Sequence, residues 1–435
     1  MQAEALLENL DPEQRQAAES LVGPTCILAG AGTGKTRTVT HRIAYGISKG
    51  YYSANRVLAL TYTNRAAGEL RARLRQLGIG AVSVKTFHAA ALSQLEFFWP
   101  QFAGVPAPSV LESKARLISK VADEAKIRLD AGALRDFAGE IEWRKYSMLS
   151  MTQYAEIVKS RPKVAGLSPA KNLELQKAYE EAKIKAQKVD WEDVLVLTLG
   201  MLRAEPRALA HVQQQYRFFT VDEYQDISPV QQRLINAWLG TRTDICVVGD
   251  PAQTIYSFAG ATPVFLNTFT QRFPDAEVIR LSTGYRSTPE ITLAANSLLR
   301  VGSMGQELVA FNDHGSKPSV QGFKDESAEI AGVSREINEL LAAGTEPQEI
   351  AILARTNNQL KAMEREFNRE AIPYQVRNTE RFFDRTDVRE FLKHVRQASV
   401  IPSEGSEWID ELRSIAQPFL TGESIDGIAA LLHLG

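Results

Sequence analysis

Cysteine is nearly absent from this chain. There are two in 435 residues, Cys26 and Cys246, each inside an apolar, strand-like run. Two thiols cannot complete a four-ligand zinc or iron–sulfur site, so both are expected to be reduced core residues of a cytoplasmic protein. Long hydrophobic runs are missing too. No apolar stretch reaches the roughly 18 residues that a membrane span needs. The start Met1-Gln2-Ala3-Glu4 has no signal-peptide pattern, and no repeat of solenoid length is visible. Nor does either charge dominate, since 50 Lys and Arg stand against 52 Asp and Glu, a net −2. That balance alone argues weakly against a nucleic-acid partner.

What is present is the composition of a folded protein, with 44% hydrophobic and 23% charged residues. At roughly 150 residues per domain the length suggests about three domains. Net charge hides distribution. From Arg37 to Lys85 the basic residues are Arg37, Arg42, Lys49, Arg56, Arg65, Arg71, Arg73, Arg75 and Lys85, against one acid, Glu69. Gathered by the fold, they would make a phosphate-tracking face; scattered, they would be solvated helix charges.

Short apolar strands alternate with helical stretches from Thr25 to Leu281. The strands read Thr25–Ala29, Val57–Thr61, Val82–Thr86, Phe218–Asp222, Ile245–Asp250 and Glu277–Leu281. Near-continuous apolar strands separated by helices imply an α/β fold whose parallel sheet is covered on both faces. Between about Ala89 and Asp190 only helical periodicity remains; Ile118, Val121, Ala122, Ala125 and Leu129 share one helical face. This stretch is expected to be a helical insertion, with Pro100, Pro106 and Pro108 where it begins. Strand-like Ser319–Phe323 and Ile350–Ala354 flank a helix from about Ser327 to Leu341, the start of a second α/β unit. Pro402 and Gly405 suggest a further boundary near residue 400.

The run Ala29-Gly30-Ala31-Gly32-Thr33-Gly34-Lys35-Thr36 follows a strand and precedes a helix. Glycines let backbone wrap a phosphate, and the loop N–H groups and helix N-terminus supply positive potential. This is a P-loop for a nucleoside triphosphate, with Ala31, Gly32, Thr33, Gly34, Lys35, Thr36 and Arg37 expected around it. Lys35 would reach the β- and γ-phosphates, and the Thr36 hydroxyl would ligate Mg²⁺. The strict pattern has Gly where this chain has Ala29. The matching carboxylates come from Phe218–Asp226: Asp222 would hold Mg²⁺, and Glu223 would polarise the attacking water.

Together these motifs resemble the superfamily 1 DNA helicases of the UvrD/Rep/PcrA type, from about Leu10 to Arg396. Leu10–Ala17 looks like the family's Q motif, which makes Gln14 the reader of the adenine edge. Without the resemblance Gln14 would pass for a surface residue. Leu60–Ala67 is similar to motif Ia and Thr86-Phe87-His88 to motif Ib, which line the single-strand channel in the family. The resemblance therefore implies DNA-binding roles for Tyr62, Thr63, Asn64, Phe87 and His88; for the two aromatics, core packing is the plain alternative. Gly249–Ala261 resembles motif III, where Gln253 would sense the γ-phosphate and Phe258 would stack on DNA. The family has Arg where this chain has Ala259. Leu281–Thr288 resembles motif IV; Tyr285 would stack on the adenine and Arg286 would reach the γ-phosphate from a second domain. Glu349–Asn357, Ile372-Pro373-Tyr374 and Phe382-Phe383 also read like that second domain.

The resemblance implies two RecA-like domains. The first spans 1–90 and 190–280, with the insertion at 91–189; the second, at 281–400, is incomplete, and 401–435 begins a further helical region. The implied activity is ATP-dependent movement along single-stranded or tailed duplex DNA, 3′→5′, in repair or replication, with ATP and Mg²⁺. Motifs V and VI are not found before Gly435, so the chain reads as the N-terminal portion of such a protein. Three other readings stand beside this one: an ATP- and DNA-binding piece without useful hydrolysis, a small-molecule P-loop kinase, and a helicase–nuclease of the RecB type.

Overall fold

A computed structural model describes residues 3–302 and 305–376. Two compact units follow one another, divided between Pro318 and Ser319.

In the first unit a short 3-10 turn leads to α1 (Pro12–Glu19), β1 (Thr25–Ala29), α2 (Lys35–Ser48), β2 (Val57–Thr61), α3 (Asn64–Gln76), β3 (Ser83–Thr86) and α4 (Phe87–Ala103). A two-residue strand, β4 (Ser109–Val110), opens a helical stretch: α5 (Lys114–Glu124), α6 (Ala131–Tyr146), α7 (Met151–Ile157) and α8 (Pro169–Lys185). The stretch closes with β5 (Lys188–Val189), parallel to β4. The chain returns through α9 (Trp191–Ala204), α10 (Pro206–Gln215), β6 (Phe218–Val221), α11 (Pro229–Leu239), β7 (Ile245–Gly249), the single turns α12 (Val264–Asn267) and α13 (Phe269–Arg272), and β8 (Glu277–Leu281). Beyond it lie β9 (Thr283–Gly284), α14 (Pro289–Gly302) and β10 (Val309–Ala310), with β9 and β10 paired in parallel.

The six-stranded sheet has the order β3-β2-β6-β7-β1-β8, and every pairing is parallel. Its strands match the expected ones to within a residue at each end. Alternate side chains enter two cores, as a strand's twofold period requires. Leu58, Leu60, Phe219 and Val221 pack with α4, α9 and α11 on one face. Ile27, Val57, Ala59 and Val248 pack with α1, α2 and α3 on the other. Cys26 and Cys246 are both free and buried, one toward each core; burial pushes the Cys26 thiol up to about 12.

The helical stretch has a core of its own around Ile118, Phe137, Ile141, Leu175 and Tyr179. Two details differ from expectation. The helix with Ile118, Val121 and Ala122 ends at Glu124, so Leu129 packs from a loop. Pro100 does not stand at a break but within the last turns of α4, which ends at Gly104 in a left-handed conformation.

The second unit contains α15 (Glu326–Ala342) and α16 (Asn357–Glu370), packed through Ile337, Met363, Phe367 and Ile372. The expected helix forms there, but Ser319–Phe323 and Ile350–Ala354 are not strands. Val320 and Leu353 are fully exposed, and a strand is stable only when paired. Phe382, Phe383 and the boundary near 400 lie outside the described residues. Among the described residues no helix is long and apolar enough to cross a membrane.

Candidate functional site

Loops at the carboxyl ends of the strands carry most of the chemistry, as open parallel sheets dictate. After β1 the chain turns through Gly32 and Gly34, at φ +80° and +83°. A Cβ on Gly32 would lie 2.6 Å from the Arg286 Cβ, and one on Gly34 2.7 Å from the Gln14 Nε2. Gly34 is also the N-cap of α2, and no side chain caps that helix. By contrast α1, α3, α4 and α5 each have an Asp, Thr or Ser side chain as cap. The uncapped first-turn N–H groups of α2 therefore face the loop, an anion-binding arrangement.

Lys35 opens α2, with Thr36 beside it. The Lys35 ammonium donates to Glu223 Oε2 at 3.1 Å and to Gln253 Oε1 at 3.5 Å. Gln253 in turn donates to Asp250 at 2.8 Å. Gln225 donates to Glu223 at 2.7 Å and accepts from the Asp250 N–H. The ends of β1, β6 and β7 thus share one polar network. Glu223 holds a left-handed backbone (φ +52°). Asp222 is buried, and that burial, together with the Glu223 charge, lifts its carboxyl to about 6 against the pull of Lys35. The Lys35 charge does not fully offset that burial, and a divalent cation held between Asp222 and the Thr36 hydroxyl would add positive charge there. Together the Cβ-free cradle and this carboxyl fit a nucleoside triphosphate with Mg²⁺.

Gln14 is not a surface residue, as the sequence alone suggested. It is 2% exposed, boxed with the α1 cap Asp11, and donates to the Thr33 carbonyl at 3.0 Å. Tyr285 donates its N–H to the Gly32 carbonyl and its hydroxyl to Asp11 at 2.6 Å. Tyr285 and Arg286 therefore lie in the same unit as the loop and against it. Ala31 and Arg37 are exposed, and Arg37 donates to the Asn9 carbonyl.

A second cluster forms at the ends of β2 and β3. Tyr62 stacks on Tyr256, centroids 4.5 Å apart at 24°. A cavity of about 140 Å³ opens beside Tyr62, Phe87, His88, Tyr146 and Asp226. Phe87 is buried and stacks on Trp238, so its ring belongs to the core as well as to the cavity wall. Thr63 is the N-cap of α3, and its hydroxyl accepts from the Ala66 N–H; Asn64, exposed, follows. His88 shares a hydrogen bond with the Tyr146 hydroxyl at 3.1 Å. Burial and the Lys114 charge pull its imidazole down to about 4, so it is neutral at pH 7. Burial and the Glu223 charge raise Asp226 to about 6. Phe258 is 70% exposed, within 6.2 Å of Tyr256.

The chain that carries these two clusters is similar in sequence to known proteins. The sequence model of the UvrD/REP helicase N-terminal domain matches residues 10–274, and that of the UvrD-like helicase C-terminal domain matches 279–399. The chain belongs to the UvrD/REP helicase family. It is 41% identical over 413 residues to the ATP-dependent DNA helicase UvrD2 of Mycobacterium tuberculosis, covering 91% of this chain and 59% of that protein. It is 30% identical over 402 residues to the ATP-dependent DNA helicase PcrA of Bacillus subtilis, covering 91% and 54%. The chain thus spans little more than half the length of these relatives.

Within this family member three site residues escaped the sequence reading. Tyr256 stood in motif III without a role, although its distance from Phe258 was a usable signal. Tyr146 comes from α6 and Trp191 from the first turn of α9, where its ring meets His88 edge-on at 5.9 Å. Neither carries a local signal, because only the folded helical stretch brings them to His88. The nine basic residues between Arg37 and Lys85 are not gathered. Arg42 is buried, Lys49 pairs with Glu4, Arg73 with Glu69, and Arg71 donates to the Val84 carbonyl.

Proposed function

We propose that the protein of which this chain is at least a part is an ATP-dependent DNA helicase or translocase on single-stranded DNA. It would move 3′→5′ and act in repair or replication. The observation that carries this reading is one short run of chain, Gln253–Phe258. At one end Gln253 accepts from Lys35; three residues on, Tyr256 stacks on Tyr62. A change at the phosphate loop is thereby three residues of chain from an aromatic surface suited to stacking bases.

These positions support the following roles. By their motifs, residues 1–90 with 190–280 are the first RecA-like domain, 91–189 its insertion, and 281–400 the start of the second, although the compact unit that holds the phosphate loop runs on to Pro318. When bound, Mg²⁺-ATP supplies the phosphoanhydride bond and a cation that offsets phosphate charge. Thr36 and Asp222 offer the cation its oxygens. Lys35 and Arg286 bring positive charge to the phosphate side, with Gln14 and Tyr285 at the base. Glu223 Oε2, now held by Lys35 Nζ, is the carboxylate placed to take a proton from water. Tyr62, Asn64, His88 and Phe258 face the strand, Phe87 backs the cavity, and Thr63 orients α3.

A passive ATP- and DNA-binding piece is the second reading, favoured by the 59% span of the UvrD2 relative. Single-turnover ATP hydrolysis by the 435-residue chain, with and without a dT oligonucleotide, separates the two. The motor reading expects hydrolysis that DNA accelerates and that Lys35→Ala or Glu223→Gln cuts at least a hundredfold. A wild-type rate equal to that of Lys35→Ala assigns this chain the passive role. Absence of DNA stimulation in the full-length protein overturns the motor reading.

A further inference from the structure

At the opposite pole of the sheet, away from both clusters, lies a groove of about 300 Å³. Its walls are Leu21, Val22, Tyr51, Tyr52 and Phe218, and its rim is Arg56, Arg217 and Asp244. Val22 is 74% exposed and Tyr51 56%, although both stand beside buried Leu21 and Tyr52. Arg56 and Arg217 stand side by side at the starts of β2 and β6, tied by the Arg217 N–H to the Arg56 carbonyl at 2.8 Å. Arg217 lies over the Phe218 ring, and its one acidic neighbour among the described residues, Asp244, is 3.7 Å away. Arg56 has no ion pair among those residues. Behind the groove a cavity of about 10 Å³ shares Leu21, Tyr52, Phe218 and Asp244 with it and is also lined by Arg42.

Arg42 adds an independent observation. It is 97% buried, and its contacts are the Ser20 carbonyl, the Thr25 hydroxyl and the Tyr52 ring. Its Nε has no partner, and no carboxylate of the described residues lies within salt-bridge distance. A buried guanidinium without a close anion is costly, and its field is focused by the low-dielectric wall around it. Three guanidinium groups against one carboxylate therefore give this apolar groove a positive potential.

We propose that the groove docks an acidic segment of a partner protein through one bulky apolar side chain. The apolar residue would fill the space between Val22, Tyr51 and Phe218, and flanking carboxylates would take the Arg56 and Arg217 forks, which suit them geometrically. A central apolar anchor with a charged rim is the usual anatomy of such a contact. A nucleic-acid strand fits less well. It needs a basic track with aromatic platforms at successive nucleotides, whereas this site is a single concavity with the Asp244 carboxylate on its rim. The phosphate loop and the Tyr62 cluster lie at the far ends of strands four or five residues long, roughly 15 Å away. A partner here would leave both sites open.

The test is a selection of displayed random peptides on the 435-residue chain, counter-selected with the Arg56→Glu/Arg217→Glu variant. Enriched peptides are then labelled and measured by fluorescence anisotropy. The expected peptides carry two or more acids beside Leu, Phe or Trp. They bind at least tenfold more weakly to the double variant and to Val22→Asp, both of which keep wild-type affinity for ATP and for a dT oligonucleotide. Three results overturn the proposal: no enrichment over the double variant, enriched peptides without acids, or displacement of the peptides by the dT oligonucleotide. The last would assign the groove to nucleic acid.

Discussion

His88 is an ordinary imidazole in the sequence, and the fold changes its chemistry. Burial first, and then the Lys114 ammonium, brings it from 6.5 to about 4. An unfolded chain takes up this proton near pH 6.5, but the folded one not until about pH 4. The unfolded state therefore binds more protons between those values. The stability tied to a neutral His88 is complete above pH 6.5 and is lost as pH falls toward 4. A shift of that size amounts to roughly 3 kcal/mol at the acid end. His88→Gln keeps a partner for the Tyr146 hydroxyl and removes the proton site. Urea midpoints at pH 7 and pH 4.5 are expected to show wild type losing about 2–3 kcal/mol more than the variant. Equal losses would mean that the buried imidazole is not the acid-sensitive group. Lys35, Glu223 and Gln253 were legible because a P-loop and its carboxylates are local patterns. Tyr146 was not: its meeting with His88 spans 58 residues and depends on how α6 packs.

At the scale of elements, the start of α9 joins the helical stretch to the sheet. Asp190 caps that helix in a box with Asp193. The same carboxylate accepts from Lys145 of α6 at 2.5 Å, from Lys183 of α8 at 3.2 Å and from the Tyr179 hydroxyl at 3.0 Å. Glu180 and Asp193 also pair with both lysines. Burial alone would raise Asp190, but Lys145, Lys183 and Lys114 outweigh it and hold the carboxyl far below its ordinary range. Burial likewise opposes the Lys145 charge, and Asp190, Asp193 and Glu180 reverse that. Removing one partner of such a cluster leaves buried charge uncompensated, at a cost of about 3–5 kcal/mol. Asp190→Asn is expected to lose that much in urea unfolding at pH 7; a loss below about 1 kcal/mol would mean that the cluster relaxes freely. The sequence showed the sheet well, because buried parallel strands are apolar along their whole length. It misplaced Ser319–Phe323 and Ile350–Ala354: the second is as apolar as the sheet strands and the first alternates apolar with polar residues, but neither has a partner strand among the described residues. It also took Pro100 for a boundary, although the last turns of α4 accommodate it.

For the molecule as a whole, charge distribution decides how the proposed DNA contact responds to salt. The sequence offered nine basic residues in one stretch, and the fold sends them in different directions. Arg42 and Arg56 go to the pole opposite the phosphate loop, Arg37 to the Asn9 carbonyl, and Lys49 and Arg73 into ion pairs. Near the Tyr62 cluster this leaves chiefly exposed Arg65, in the first turn of α3, and Lys85, which donates to Ser93. Stacking on Tyr62, Tyr256 and Phe258 is then the larger part of the contact, and stacking releases no counterions. Each neutralised phosphate of a single strand contributes about −0.7 to the slope of log K against log salt. Two or three such contacts give a slope of about −2 for a dT oligonucleotide. Tyr62→Ala is expected to weaken binding by about 1–3 kcal/mol with the slope unchanged, whereas Arg65→Ala should make the slope shallower by roughly 0.7. Anisotropy titrations between 50 and 300 mM NaCl, roughly the range over which such slopes are read, measure all three. A wild-type slope steeper than about −5 would contradict the scattered arrangement and restore a continuous phosphate-tracking face.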